Sequence, residues 1–258
     1  MRRSSALRLP AFAATTRCLV LWVSALIAGC AAPKAPVFQA QPTVPVQWSV
    51  QEQANWQEMH FPAKSPTVYS LDRNAPADGG GQRAALKADA QSSASMLRIP
   101  VRIETTELSR LSFSWLVPAL IEHADMASRD FDDSPARLVL AFEGDRSKFS
   151  PKNAMLNELA RLVTGEEMPY ATLMYVWCNQ RPVNSVIHSP RTDRIRKIVV
   201  ESGAQGLRQW RNYERDIRAD FERAFGEPPG ALVGVGLMTD SDNTQSNAIA
   251  WYGPIALR

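Results

Sequence analysis

Two short acidic runs are the segments of this 258-residue chain best equipped for chemistry. Arg129-Asp130-Phe131-Asp132-Asp133 stands ahead of one apolar run, and Asp240-Ser241-Asp242-Asn243-Thr244 stands between two others. Paired carboxylates can divide the acid and base roles of glycoside hydrolysis when their surroundings separate their pKa values. They can also supply the oxygens that a calcium ion requires. The second run opens like a calcium loop, but its sixth position is Gln245 where a glycine is needed and its twelfth is Trp251 where a glutamate is needed. No metal site and no cofactor are expected on that pattern. Asp and Asn between strands otherwise make hairpin turns, bonding their own backbone. Asp132, Asp133, Asp240, Asp242 and Asn243, with Trp177, are therefore the candidate ligand-binding groups. Carboxylates and amides suit the hydroxyls of a sugar, and an indole suits its C–H face. Trp115 and Trp251 are of the same type, with core packing as the simpler job. No catalytic residue is assigned.

A third charged group lies at Arg215, Asp216 and Asp220. Trp210, Tyr213, Ile217, Phe221 and Phe225 surround it at spacings of three, four, four and four, which predicts one long amphipathic helix ending at Gly226. On that helix Asp216 and Asp220 flank the apolar stripe, so they and Arg215 are expected to form a structural polar network between helix and sheet. A buried carboxylate without a partner would be costly. Other templates are missing from the sequence: no G-x-S-x-G elbow, phosphate loop, dinucleotide fingerprint or H-E-x-x-H. Cys178 closes an apolar run and reads as a buried, inert thiol. His60, His123 and His188 are widely spaced, without a second ligand at metal spacing.

The start of the chain carries chemistry of another kind. Arg2, Arg3, Arg8 and Arg17 precede an apolar stretch over 18–27, and small residues follow, the layout of a bacterial secretion signal. Leu26-Ile27-Ala28-Gly29-Cys30 places a cysteine directly after Ile-Ala-Gly, the mark of a lipoprotein signal. The Cys30 thiol would take a diacylglyceryl group, the chain would be cut before it, and the new amino end acylated. The apolar stretch is about half the roughly twenty residues that a membrane span needs. Residues 1–29 are thus expected to be a removable signal, with Cys30 the lipidation site and the lipid anchor the membrane contact. Ala31, not aspartate, follows the cysteine, which points to the outer membrane facing the periplasm. The formal charge of +3 falls to −1 once a leader with four arginines and no acid is removed, so no nucleic-acid partner is expected. The one basic cluster, Arg191, Arg194, Arg196 and Lys197, reads as a solvated sheet face.

Residues 30–47 are expected to form a Pro/Ala-rich tether, because repeated prolines favour an extended polyproline-like chain. Residues 48–258 are enough for one domain. Apolar and polar residues largely alternate over 97–104 and 111–116. Runs at 137–142, 172–178, 195–200, 232–238 and 248–257 have β-branched or aromatic character, with shorter ones at 67–71 and 84–90. Ser150-Pro151 and Gly165 enclose a first helix over Pro151–Thr164. Many short strands predict a mainly β, antiparallel jelly-roll-like β-sandwich with two peripheral α-helices.

The ordered series Asp130-Phe-Asp132-Asp133, Tyr175-Val-Trp177, Trp210 with Glu214-Arg-Asp216, Ala219-Asp-Phe221, Phe225-Gly226, Asp240 to Thr244 and Tyr252-Gly253 resembles the bacterial family known as domain of unknown function 3047. Pro254 stands where members of that family often have an acid. The resemblance implies no activity. The expected role is a non-catalytic cell-envelope lipoprotein that binds a glycan or another envelope component. The alternatives are a carboxylate-dependent hydrolase of envelope polysaccharide and a scaffold for a protein partner.

Overall fold

The computed structural model describes residues 47–48 and 56–257. The expected signal, Cys30 and nearly all of the tether lie outside them. Every described strand, both helices and the core belong to one compact unit, Ala35–Arg258, so this piece carries what the described fold needs.

The domain is mainly β, a jelly-roll-like sandwich of two curled sheets with two helices. The first sheet runs β1 (Gln47–Trp48), β14 (Ile255–Leu257), β6 (Arg110–Leu116), β13 (Asn247–Tyr252), β4 (Gln82–Gln91) and β3 (Val68–Pro76), with β11 (Arg211–Asp216) on the other flank of β6. The second runs β2 (Gln57–His60), β5 (Ala94–Ile103), β12 (Leu232–Asp240), β7 (Ser134–Phe142), β8 (Ala171–Cys178), β10 (Ile195–Ser202) and β9 (Val186–His188). All pairs are antiparallel except β8 with β10. That exception arises because β9 runs back along the sheet edge, leaving the place beside β8 for β10.

Side chains alternate across a strand, so one register row defines each face. Leu97, Leu237, Leu138, Tyr175 and Ile198 sit opposite one another on five strands of the second sheet, and all are buried. With Leu86, Leu111, Phe113 and Trp115 from the first sheet they form the core. Phe113 stacks on Tyr175 at 5.6 Å between ring centroids, which ties the layers together. The outer face of the second sheet is covered as well. Met126, from the long 117–133 connection, packs there on Val176, Cys178, Ile187 and Val199.

Helix α1 (Pro151–Thr164) follows its expected limits: the Ser150 hydroxyl accepts from the Asn153 N–H, and Gly165 stops the helix in the left-handed region. The long second helix is a correction. Only α2 (Ile217–Phe225) is helical, and the residues before it form β11, paired along its length with β6. Arg211, Tyr213 and Arg215 turn inward while Asn212, Glu214 and Asp216 turn out, a period of two that the apolar spacing concealed. The run at 248–257 likewise breaks at Gly253-Pro254 into β13 and β14. No helix among the described residues is long and apolar enough to cross a membrane.

Candidate functional site: a charged network bracing an open cleft

Arg137 on β7 and Lys197 on β10 occupy positions of opposite parity to the core row, so both point to the outer face. There the 117–133 connection buries them, at 3% and 1% exposure. Arg137 donates Nε to Asp240 Oδ1 at 2.9 Å and a terminal nitrogen to Asp240 Oδ2 at 2.8 Å, a bidentate pair. The same nitrogen donates to the Asp132 carbonyl at 2.8 Å and to Asp132 Oδ1 at 3.2 Å. Lys197 Nζ donates to Asp132 Oδ1 at 2.6 Å and to the Met126 carbonyl at 2.9 Å. Lys197 is thus no part of a solvated basic face, and Arg194 is occupied by Glu227 and the Tyr170 ring.

The second acidic run folds onto the first. Asp133 Oδ1 accepts from the backbone and side-chain N–H groups of Asn243 at 3.2 and 3.1 Å. Its Oδ2 accepts from the backbone N–H and hydroxyl of Thr244 at 2.7 and 2.6 Å. Asp242 accepts from Lys64. The Ser134 N–H adds a bond to Asp240 Oδ1 at 3.1 Å. Asp132, Asp133, Asp240, Asp242 and Asn243 therefore meet in one cluster.

Electrostatics follow from that crowding. Burial pushes the Asp240 carboxyl up, Arg137 pulls it down, and Asp133 and Asp132 push it up again, to about 7. Burial and the Arg137 charge press Lys197 down to about 8, against the pull of Asp132. Burial opposes the Arg137 charge as well, but Asp240 and Asp132 outweigh it and raise its pKa.

Oxygens of Asp133, Asp240 and Asp242 lie within 4.8 Å of one another, a metal-like grouping. A cation there would have to displace Arg137 from Asp240, and Asn243 and Thr244 from Asp133. Those donors already satisfy the carboxylates. A glycosidase pair would need carboxyl groups open to substrate, and these are at most 8% exposed.

Trp177 is also removed from any ligand. It points into the core at 0% exposure, and its indole N–H donates to the Gly203 carbonyl at 3.1 Å. The third charged group forms a separate network. Asp220, on α2, accepts from Tyr175 Oη at 2.9 Å, twice from Arg215 at 2.8 Å and from Arg223 at 2.9 Å. Asp216 stays outside it as the exposed N-cap of α2, accepting from the Ala219 N–H at 3.0 Å.

An open cleft of about 790 Å³ lies beside the first network, with residues 123–125 and Phe131 on one wall and residues 178–182 on the other. Asn179 Nδ2 donates to the Ile121 carbonyl at 2.7 Å and Arg181 to Asp125 at 2.9 Å, clipping the walls together. Burial raises the Asp125 pKa, but the Ala127 N–H and Arg181 bring it below its ordinary value. The Phe131 carbonyl accepts from both the Asp125 and the Asp133 N–H at 2.8 Å. The backbone of Phe131 thus joins cleft to network, while the residue itself is 46% exposed. Phe131, His123, Gln180 and Arg181 were not among the expected ligand groups. The visible signal was Phe131 itself, an aromatic residue inside an acidic run.

The chain belongs to the family described as "Protein of unknown function (DUF3047)", whose model matches residues 54–256. No curated protein shows significant sequence similarity to it. Among solved structures it is similar to the family 11 carbohydrate-binding module of a Clostridium thermocellum cellulase, at 8% identity over 84% of this chain and 95% of that one, with a TM-score of 0.39. It is similar to the T. cruzi calreticulin globular domain at 11% identity, over 84% and 88% of the two chains, with a TM-score of 0.40. The glycoside hydrolase domain of Endo-D from Streptococcus pneumoniae matches at 10% identity over 78% of this chain, which spans only 21% of that one, with a TM-score of 0.32. Likeness at this level transfers neither ligand nor activity.

Proposed function

We propose that this member of the DUF3047 family is a non-catalytic cell-envelope lipoprotein. It is anchored through Cys30 to the outer membrane and binds a glycan in the cleft between residues 123–131 and 178–182. The observation that carries this reading is the exposed Phe131 ring beside hydrogen-bonding side chains, on a wall made rigid by buried ion pairs. A half-exposed phenyl face suits the C–H side of a pyranose, and Gln180, Arg181 and His123 offer groups for its hydroxyls. The carboxylates that a hydrolase would use are instead spent on Arg137, Lys197 and the 240–244 loop, so the network serves as brace.

The test is a glycan array and a peptidoglycan pull-down with the unit 35–258. Binding to one class of envelope polysaccharide is expected, weakened about tenfold in Phe131→Ala through the loss of one stacking contact. Gln180→Ala should weaken it less, and both variants should melt like the parent. Silence across every envelope polysaccharide, or unchanged binding in Phe131→Ala, overturns the reading.

A further inference from the structure

Helix α1 is built inside out. Its buried residues are Asn153 and Asn157. Asn153 donates to Asp193 and accepts from Thr192 Oγ1 at 2.7 Å, and Asn157 Oδ1 accepts from the Met168 N–H at 2.9 Å. The helix is thus docked by its amides. Met155, Leu159, Leu162 and Val163, at i, i+4, i+7 and i+8, face solvent at 65, 54, 80 and 56% exposure. This spacing gathers them on one stripe about 100° wide, the stripe that a surface helix normally turns to the core. Four of the seven large apolar side chains exposed among the described residues lie on this one helix.

Two observations identify what covers the stripe. The first is where the chain comes from. The Phe142 and Phe221 rings lie 4.7 Å apart, so the Phe142 end of the second sheet, where α1 is attached, is also the α2 end of the first. At that end Arg110 pairs with Asp216 and Leu111 with Leu257. Gln47 pairs with Ala256, antiparallel to β14, so the chain preceding Gln47 leads out towards the same end. The described fold therefore begins, at Gln47, at the α1 end. The cleft lies at the opposite end, since β7 and β8 each run between the cleft walls and α1. Nine residues of β7 put about 30 Å between the two.

The second is charge. The acids nearest the stripe are each paired: Glu158 with Arg161, Glu166 with Arg98 and Glu167 with Arg146. Lys152, exposed in the first turn of the helix, makes no ion pair among the described residues, and the exposed Lys148 just ahead of it feels only the nearby Asp145 carboxylate. An apolar stripe with solvent-exposed lysines at its edge has the composition of a helix that lies in the interface of an anionic bilayer, its lysine stems reaching up to the headgroups.

We propose that α1 is a membrane-contacting helix that seats this end of the domain on an anionic phospholipid surface, with the cleft facing away. The proposal takes the position of the membrane from the lipid anchor of the preceding section, but the contact itself is measurable without the anchor. The unit 35–258 is sedimented with vesicles of phosphatidylcholine alone and of an equal mixture with phosphatidylglycerol. Partition into the mixed vesicles, weakened by salt, is expected. Leu159→Asp with Leu162→Asp should reduce it by about tenfold or more. Lys148→Glu with Lys152→Glu should abolish the preference for the anionic vesicles. Should a variant not fold, hydrogen exchange of the parent decides, since vesicles must slow the α1 amides and no others. A parent that stays in the supernatant with both vesicles overturns the proposal. So does a concentration-dependent dimer that Leu159→Asp dissolves, which would make a second copy the occupant. Glycan binding should be unchanged in both double variants, so failure here and failure of the cleft reading are separate results.

Discussion

Replacing Asp220 by alanine should cost this domain more stability than removing any other charged side chain of α2. The carboxylate, 6% exposed, takes four donors: Tyr175 Oη at 2.9 Å, Arg215 twice at 2.8 Å and Arg223 at 2.9 Å. Removing it leaves the Tyr175 hydroxyl without a partner in the core, which costs about 1–3 kcal/mol. Arg215 loses a bidentate pair but keeps its bond to Asn184, and Arg223 is exposed enough for water to replace its partner. A total of about 3 kcal/mol follows, equivalent to a fall of roughly 6–12 °C in Tm for a domain of this size. Asp216→Ala removes only the N-cap bond to Ala219, about 1 kcal/mol or 2–4 °C.

The assay is thermal and urea unfolding of the unit 35–258, with Tyr175→Phe completing a double-mutant cycle. Tyr175→Phe alone should cost about 1 kcal/mol. The double variant should be less destabilised than the sum of the singles, because once Asp220 is gone the hydroxyl is a liability. An Asp220→Ala variant that melts no lower than Asp216→Ala would refute the reasoning, as would strict additivity with Tyr175→Phe.

Asp133→Ala should free the 240–244 loop by deleting the acceptor of four bonds. The Asn243 and Thr244 amides should then exchange at least about tenfold faster, and unchanged exchange would show the loop to be held by other means. Lys197, pressed down to about 8 in the folded state, keeps its ordinary value near 10.4 when unfolded. Between these values the unfolded chain binds more protons, so the stability of the parent relative to Lys197→Met should rise from pH 8 to pH 10 and level off below pH 8, where both states are protonated. A flat difference in urea midpoints across that window would contradict the burial. Cys30→Ser in the full chain should abolish incorporation of labelled palmitate and move the protein out of the membrane fraction. Palmitate retained in that variant would place the anchor elsewhere.

Local signals in the sequence were read best where a single residue decides geometry. Ser150, Pro151 and Gly165 delimit α1 because cap and stop are set by three residues and their own backbone. The alternating runs located the main strands for the same reason. Trp210, Tyr213 and Ile217 misled because three and four are also spacings at which a strand-to-helix junction can place apolar groups inward. Asp216, which that spacing places inside a helix, is the cap at the junction. The parallel β8–β10 pair was not legible, since it depends on where β9 lies and not on either strand's composition. Nor was the Asp133–Thr244 contact, which joins residues 111 positions apart. Composition marked those carboxylates as capable of chemistry. Only the fold shows that their lone pairs are already taken.

That difference also explains why the acids and the cleft must be read together. Buried ion pairs contribute little net stability compared with apolar side chains of the same volume, because desolvation offsets the attraction. They do fix geometry, since each carboxylate oxygen accepts only from certain directions. Asp132 and Asp133 are consecutive, and their partners come from β7, β10 and the 240–244 loop, so the backbone between Phe131 and Ser134 has little freedom. An apolar cover over Val176 and Val199 alone would bury the same surface yet allow the 117–133 connection to slide. With the network in place, the exposed Phe131 ring is held at a set angle to the opposite wall, where Arg181 and Gln180 stand. A rigid aromatic face loses little entropy when a ligand stacks on it. The charges buried beneath the cleft are therefore best understood as what makes its exposed phenyl ring useful.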